Sequence, residues 1–116
     1  METAGGAIGY RRAGAGPLRV LLHGIGSASG SWLRQFDALQ STHTVLAWDA
    51  PGYGDSAPLP MAQPQAQDYA QRVWQWLDAL DLSPEPLTLV GHSLGALMAA
   101  AAAVERPARV HRLVLL

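Results

Sequence analysis

The chain has 116 residues, 49% of them hydrophobic and 15% charged, with a net charge of −1. That composition describes one compact domain, or part of one, and leaves no electrostatic footprint for nucleic acid or an anionic membrane surface. Cysteine is absent and all eight basic residues are arginine, which excludes disulfides, thiolate metal sites, a cysteine nucleophile, a P-loop lysine and a Schiff-base lysine within this stretch.

Residues 4–16 are glycine-rich, and Ile8 to Arg12 has the look of a short strand before the Gly14-Ala15-Gly16-Pro17 turn. Leu18 to Leu22 is nearly all apolar, the pattern of a strand buried on both faces of a parallel sheet. It stops at His23-Gly24-Ile25-Gly26, and Ser27 to Ser31 is a loop of small residues. Trp32, Leu33, Phe36 and Leu39 then recur at helical spacing. Thr44 to Trp48 is the next strand, ended by Asp49-Ala50-Pro51-Gly52-Tyr53-Gly54-Asp55-Ser56. Residues 57–65 hold three prolines and read as an irregular loop. An amphipathic helix begins at Gln67: Tyr69, Val73, Trp76, Leu77 and Leu80 share one face, with Gln67, Gln71, Gln75 and Asp78 opposite. Ser83-Pro84-Glu85-Pro86 breaks it. A strand from Leu87 to Val90 leads into Gly91-His92-Ser93-Leu94-Gly95, and an alanine-rich helix follows, stopping near Arg106 because Pro107 disfavours a helical residue before it. Val110 to Leu116 has the pattern of a further buried strand. The alternation predicts an α/β fold: a doubly wound, mostly parallel sheet with right-handed crossovers and helices on both faces.

The chemistry concentrates at residues 91–95. A strand, a five-residue turn with glycines two before and two after a serine, and a helix make the G-x-S-x-G nucleophile elbow. The turn lifts the serine hydroxyl above the sheet and crowds its neighbours, so a Cβ at Gly91 or Gly95 would press into the turn or hold the helix off the strand. The competing reading is a glycine-rich turn with an incidental serine. Ser93 is the candidate nucleophile, and the Leu94 N–H, in the first turn of the helix, is a candidate oxyanion donor. The loop at His23-Gly24-Ile25-Gly26 opens at the same sheet edge, and Ile25 N–H is the candidate second donor. The alternative for Gly24-x-Gly26 is a dinucleotide loop with Asp49 as the ribose acid. The spacing Gly24, Gly26, Gly30 does not fit G-x-G-x-x-G, and His23 intrudes into the turn.

These three motifs, in this order, give a chain that resembles the α/β-hydrolase family over nearly its whole length. They are His23-Gly24-Ile25-Gly26 with Trp32, then Asp49 to Ser56, then Gly91 to Gly95. The resemblance implies a serine hydrolase of esters, lactones or related acyl compounds, with Ser93 as nucleophile, the Ile25 and Leu94 amides as oxyanion hole, and Asp49–Ser56 as a structural loop near the site. Serine at the elbow departs from relatives that use aspartate there, which disfavours epoxide hydrolase and haloalkane dehalogenase chemistry. The family order Ser…Asp/Glu…His is unmet, since only Glu105 and His111 follow Ser93, and both fall at the wrong edge of the sheet. The catalytic acid and histidine, and the lid, are therefore expected beyond Leu116, with residues 1–116 forming the N-terminal part of a single domain. The rival reading is a truncated, non-catalytic protein of the same fold that binds a ligand or partner without turnover.

The remaining residues have plainer readings. His92 is expected to point away from the nucleophile in a structural role, His23 to orient its loop, and His43 to lie on the surface. Asp49 and Asp55 suit turn capping, Trp48, Trp74 and Trp76 suit core or helix-face positions, and Arg106, Arg109 and Arg112 suit a solvated cluster near a helix end. No histidine pair has metal-ligand spacing, so neither metal nor cofactor is expected. No segment reaches the roughly 18 apolar residues of a membrane span, and the N-terminus lacks a signal-peptide pattern, so the expected location is the cytoplasm. The expected partner is a small acyl substrate, with neither nucleic acid nor membrane. Self-association through an exposed final strand is also expected.

Overall fold

A computed structural model describes residues 1–82 and 84–116; Ser83, in the expected helix-breaking segment, lies outside the described residues. Among the described residues seven strands form two sheets. β1 (Glu2–Thr3) and β2 (Gly6–Ala7) make a small antiparallel hairpin. The other five are β3 (Tyr10–Ala13), β4 (Leu18–Leu22), β5 (Thr44–Trp48), β6 (Leu87–Gly91) and β7 (Val110–Leu115), in the spatial order β3-β5-β4-β6-β7. Within that sheet β4, β5, β6 and β7 are parallel, and β3 adds antiparallel to β5, with Tyr10 opposite Trp48. The sheet is mostly parallel, as the sequence predicts. The first strand of this sheet begins two residues later than the 8–12 expectation and lies on the edge.

The strands alternate cleanly between two cores. Val20, Leu22, Leu46, Trp48, Leu87 and Leu89 face one side, where they pack with α2 (Ala66–Ala79) and α3 (Leu94–Glu105). Leu21, Val45 and Ala47 face the other, against Phe36 of α1 (Leu33–Leu39) and Trp32 of the preceding 3₁₀ turn, Ser29–Trp32. Side chains of opposite parity thus serve opposite layers, and every residue of β5 is buried. Leu33, placed on the apolar helical stripe by spacing, is instead 55% exposed, because the 3₁₀ turn resets the helical phase just before it.

Helix α2 buries more than its predicted stripe. Val73, Trp76 and Leu77 are buried as expected, with Trp76 stacked on Trp48 at 5.8 Å between centroids. Trp74 and Arg72 are also buried, because the helix is covered on two sides. Trp74 packs toward α3, where its Nε1–H donates to the Ala102 carbonyl at 3.0 Å. Arg106 and Arg109 both lie over the Trp74 ring, and Arg106 forms a two-bond ion pair with Asp78 at 2.9 and 3.0 Å. Arg106, its side chain 40% exposed, keeps the expected solvated place at the helix end and gains an aromatic face there, while Arg109 is half-buried over the same ring. Arg112 is exposed on β7. Among the described residues β7 lies at the edge of the sheet, with Leu113 and Leu115 exposed, in line with the expected exposed final strand.

Candidate active site

From β4 the chain crosses to β5 on one side and then returns past β4 to β6 on the other. The order reverses between β4 and β6. At such a reversal the loops leaving the two carboxyl ends diverge to opposite faces and leave a crevice between them. Both glycine motifs leave the sheet there. Leu22 is in register with Gly91, and the His92 N–H donates to the Leu22 carbonyl at 3.0 Å, joining the two loops at their root.

Ser93 sits at the apex of the elbow with φ 58° and ψ −122°, a left-handed conformation that a side chain rarely adopts. The residue is exposed. Close packing around it explains the glycines. A Cβ on Gly91 would lie 2.2 Å from the Gly95 carbonyl oxygen; one on Gly95 would lie 2.1 Å from the Leu22 oxygen. One on Gly24 would lie 2.8 Å from the Ser93 Cβ, so the β4 loop lies directly against the serine. Gly26 has φ +77° with open space around it, so backbone conformation alone accounts for glycine there. Leu94 is the first residue of α3, and its N–H has no acceptor among the described residues; the same holds for Ile25, whose residue is 72% exposed. The Ser93 N–H is taken by the Leu116 carbonyl at 3.1 Å.

His23 is buried and both ring nitrogens are engaged. The Ala50 N–H donates to Nε2 at 3.0 Å, which fixes the proton on Nδ1, and Nδ1–H then donates to the Gly24 carbonyl at 2.8 Å. The ring ties the β4 loop to the β5 loop, as expected, and holds no lone pair for Ser93. Asp49 likewise joins loops, through its carboxylate, which accepts the Ser29 N–H at 2.8 Å and the Asp55 N–H at 3.4 Å, while the Ser56 hydroxyl donates to the Asp49 backbone carbonyl. Asp49 is thus a capping carboxylate, whereas Asp55 contributes its backbone N–H and stays exposed. The segment 49–56 has the structural role the resemblance implied.

His92 is exposed, its ring makes no hydrogen bond among the described residues, and it forms part of the wall of a cavity of about 270 Å³. Trp32, Ser27, Ser31, Gly24 and Leu116 are also on that wall. Trp32, which helical spacing marks as a helix-face aromatic and the first motif includes, is brought to the cavity wall by the packing of the loop. Glu105 ends α3 and His111 lies at the start of β7, both at the amino edge, away from Ser93.

A family model for the alpha/beta hydrolase fold matches residues 17–116. The chain belongs to this family. It is 34% identical over 107 residues to an (E)-2-((N-methylformamido)methylene)succinate hydrolase of Acinetobacter baylyi, covering 92% of this chain and 40% of that protein. Among solved structures it resembles a membrane phospholipase A described as a bacterial virulence factor (TM-score 0.90, 32% identity, 99% of this chain and 37% of that one). It also resembles Est816, an N-acyl homoserine lactone degrading enzyme (TM-score 0.84, 29% identity, 94% and 41%). The chain therefore spans less than half the length of each of these relatives. Among the described residues no helix is long and apolar enough to cross a membrane.

Proposed function

We propose that this chain carries the nucleophile and oxyanion hole of a serine hydrolase acting on esters, lactones or related acyl compounds. The observation that carries the reading is Ser93 itself: a strained, exposed serine at the topological switch point, beside two backbone N–H groups without acceptors among the described residues. A strained conformation persists only where its surroundings over-determine it, and such residues gather at functional sites. In the proposed reaction the Ser93 Oγ attacks the substrate carbonyl carbon while a histidine takes its proton. The carbonyl oxygen becomes an oxyanion held by the Ile25 and Leu94 N–H groups. Collapse expels the alcohol, which receives that proton, and leaves an acyl-enzyme; water then releases the acid by the same steps in reverse roles. Losing one oxyanion donor typically lowers kcat about 100- to 1,000-fold.

The reaction requires a base and an orienting acid, and among the described residues no histidine or carboxylate hydrogen-bonds to Ser93. In the family order both follow the serine in the chain. The same observation favours a second reading, in which the fold binds a ligand or partner without turnover. Both are tested by isolating the protein from its native source, determining its intact mass, and following a chromogenic acetate ester. The hydrolase reading expects turnover of that ester by the native protein. It also expects Ser93→Ala to remove turnover by about 10⁴-fold or more while circular dichroism stays unchanged. Undiminished activity in Ser93→Ala would overturn the assignment, and a mass equal to residues 1–116 with no turnover would favour the binding reading.

A further inference from the structure

Away from the elbow, helix α2 carries a polar stripe where a core stripe would be expected. Asp68, Gln71, Arg72 and Gln75 recur at i, i+3, i+4 and i+7, so they share one helical face. Gly5 of the β1–β2 turn and the 59–61 loop stand against that face, and with it they line a half-open cavity of about 230 Å³. Arg72 is only 4% exposed, and its Nη1 is sealed from solvent with no hydrogen-bond partner among the described residues. Among those residues it also forms no ion pair, the Arg106–Asp78 pair being of other groups. The nearest carboxylate on its own face, Asp68, is directed at the helix start, where Oδ2 accepts the Gln65 N–H at 2.8 Å. The hairpin turn is shaped to the guanidinium: a Cβ on Gly5 would lie 2.3 Å from Arg72 Nε and 2.2 Å from Gln75 Oε1. Burial draws the Arg72 pKa below its usual value, yet a guanidinium retains its proton throughout the physiological range.

A buried cation without a counter-charge is costly, and a cavity beside it supplies room for one. We propose that this cavity is a binding site for a small oxyanion, held by the Arg72 guanidinium with help from the Gln71 and Gln75 amides. Guanidinium presents a planar fork of donors that matches the paired oxygens of phosphate and carboxylate. The site is separate from the elbow and independent of the proposed hydrolase activity. Asp68 limits its affinity, because that carboxylate lines the same space.

The test is calorimetric titration of the full chain with inorganic phosphate, and separately with acetate, at constant ionic strength. Saturable binding is expected, weakened about tenfold or more in Arg72→Met and in Arg72→Gln. Asp68→Asn keeps the acceptor for Gln65 and removes the repulsion, so it should tighten binding several-fold. Without anion, the melting temperature of Arg72→Met should equal or exceed that of the parent, since an unpaired charge has been removed. Phosphate binding without acetate binding would assign a phosphoryl group, and competition between the two would assign any small oxyanion. Absence of saturable binding to the parent chain, or equal binding by Arg72→Met, would overturn the proposal. If neither Arg72 variant folds, the parent titration and the direction of the Asp68→Asn effect still decide it.

Discussion

A methyl group on Gly95 would sit 2.1 Å from the Leu22 carbonyl oxygen, so α3 can close on β4 only in its absence. Gly95→Ala should therefore cost about 1–3 kcal/mol, the usual penalty for overpacking, read as a lower urea midpoint at unchanged slope. An unchanged midpoint would show that helix and strand can part without loss. At this scale the sequence is most legible. The elbow glycines and the strained serine are demanded by the backbone path itself, so their identities carry the geometry directly. His23 is legible only in outline. Its orienting role follows from its place in the turn, but its partner, the Ala50 N–H, lies 27 residues away and is fixed by the β4–β5 register. Ring nitrogens do not announce distant partners, and for the same reason nothing near His92 in the sequence marks it as a cavity wall.

The two helices stacked over one face of the sheet show what periodicity can and cannot convey. In α2 the apolar stripe of Val73, Trp76 and Leu77 points to the sheet and is readable, because polar residues flank it. Trp74 is ambiguous in sequence, since it belongs to the second buried side that exists only once α3 is in place. In α3 nearly every position is apolar, so no period distinguishes inside from outside. The structure buries Met98, Ala99 and Ala102 and leaves Leu97 and Val104 exposed. The buried alanines let α3 approach the sheet closely. Ala99→Leu should thus be destabilising by about 1–3 kcal/mol, whereas Leu97→Ala, at a position 60% exposed, should change stability by less than about 0.5 kcal/mol. Parallel denaturant titrations check both. Equal effects at the two positions would mean that α3 is rotated from the orientation described.

Across the whole molecule, the sheet has two free edges among the described residues, and they differ in kind. On β3 the central pair Arg11 and Arg12 is exposed, and charged side chains on an edge discourage pairing with another chain. β7 presents Leu113, Leu115 and the following Leu116 at 37, 51 and 65% exposure. The exposed Leu97 and Val104 of α3 add to the apolar surface available in residues 1–116. The strand pattern of 110–116 is legible in the sequence, but sequence alone cannot separate an apolar strand that is covered from one that is bare, because the difference lies in what stands beside it. An unpaired strand with apolar side chains is a template for a second strand. Residues 1–116 in isolation are accordingly expected to associate as concentration rises, with light-scattering mass climbing above 12.3 kDa. Lysines at 113 and 115 place two charges on one face of that edge. Leu113→Lys with Leu115→Lys should hold the chain at monomer mass, while Arg11→Leu with Arg12→Leu should strengthen association by opening the second edge. If the parent chain stays at 12.3 kDa into the high micromolar range, bare apolar edges alone do not drive pairing in this fold. If it associates but the lysines leave the association unchanged, the contact lies on the Leu97–Val104 face of α3, and the substitution to make next is Val104→Lys.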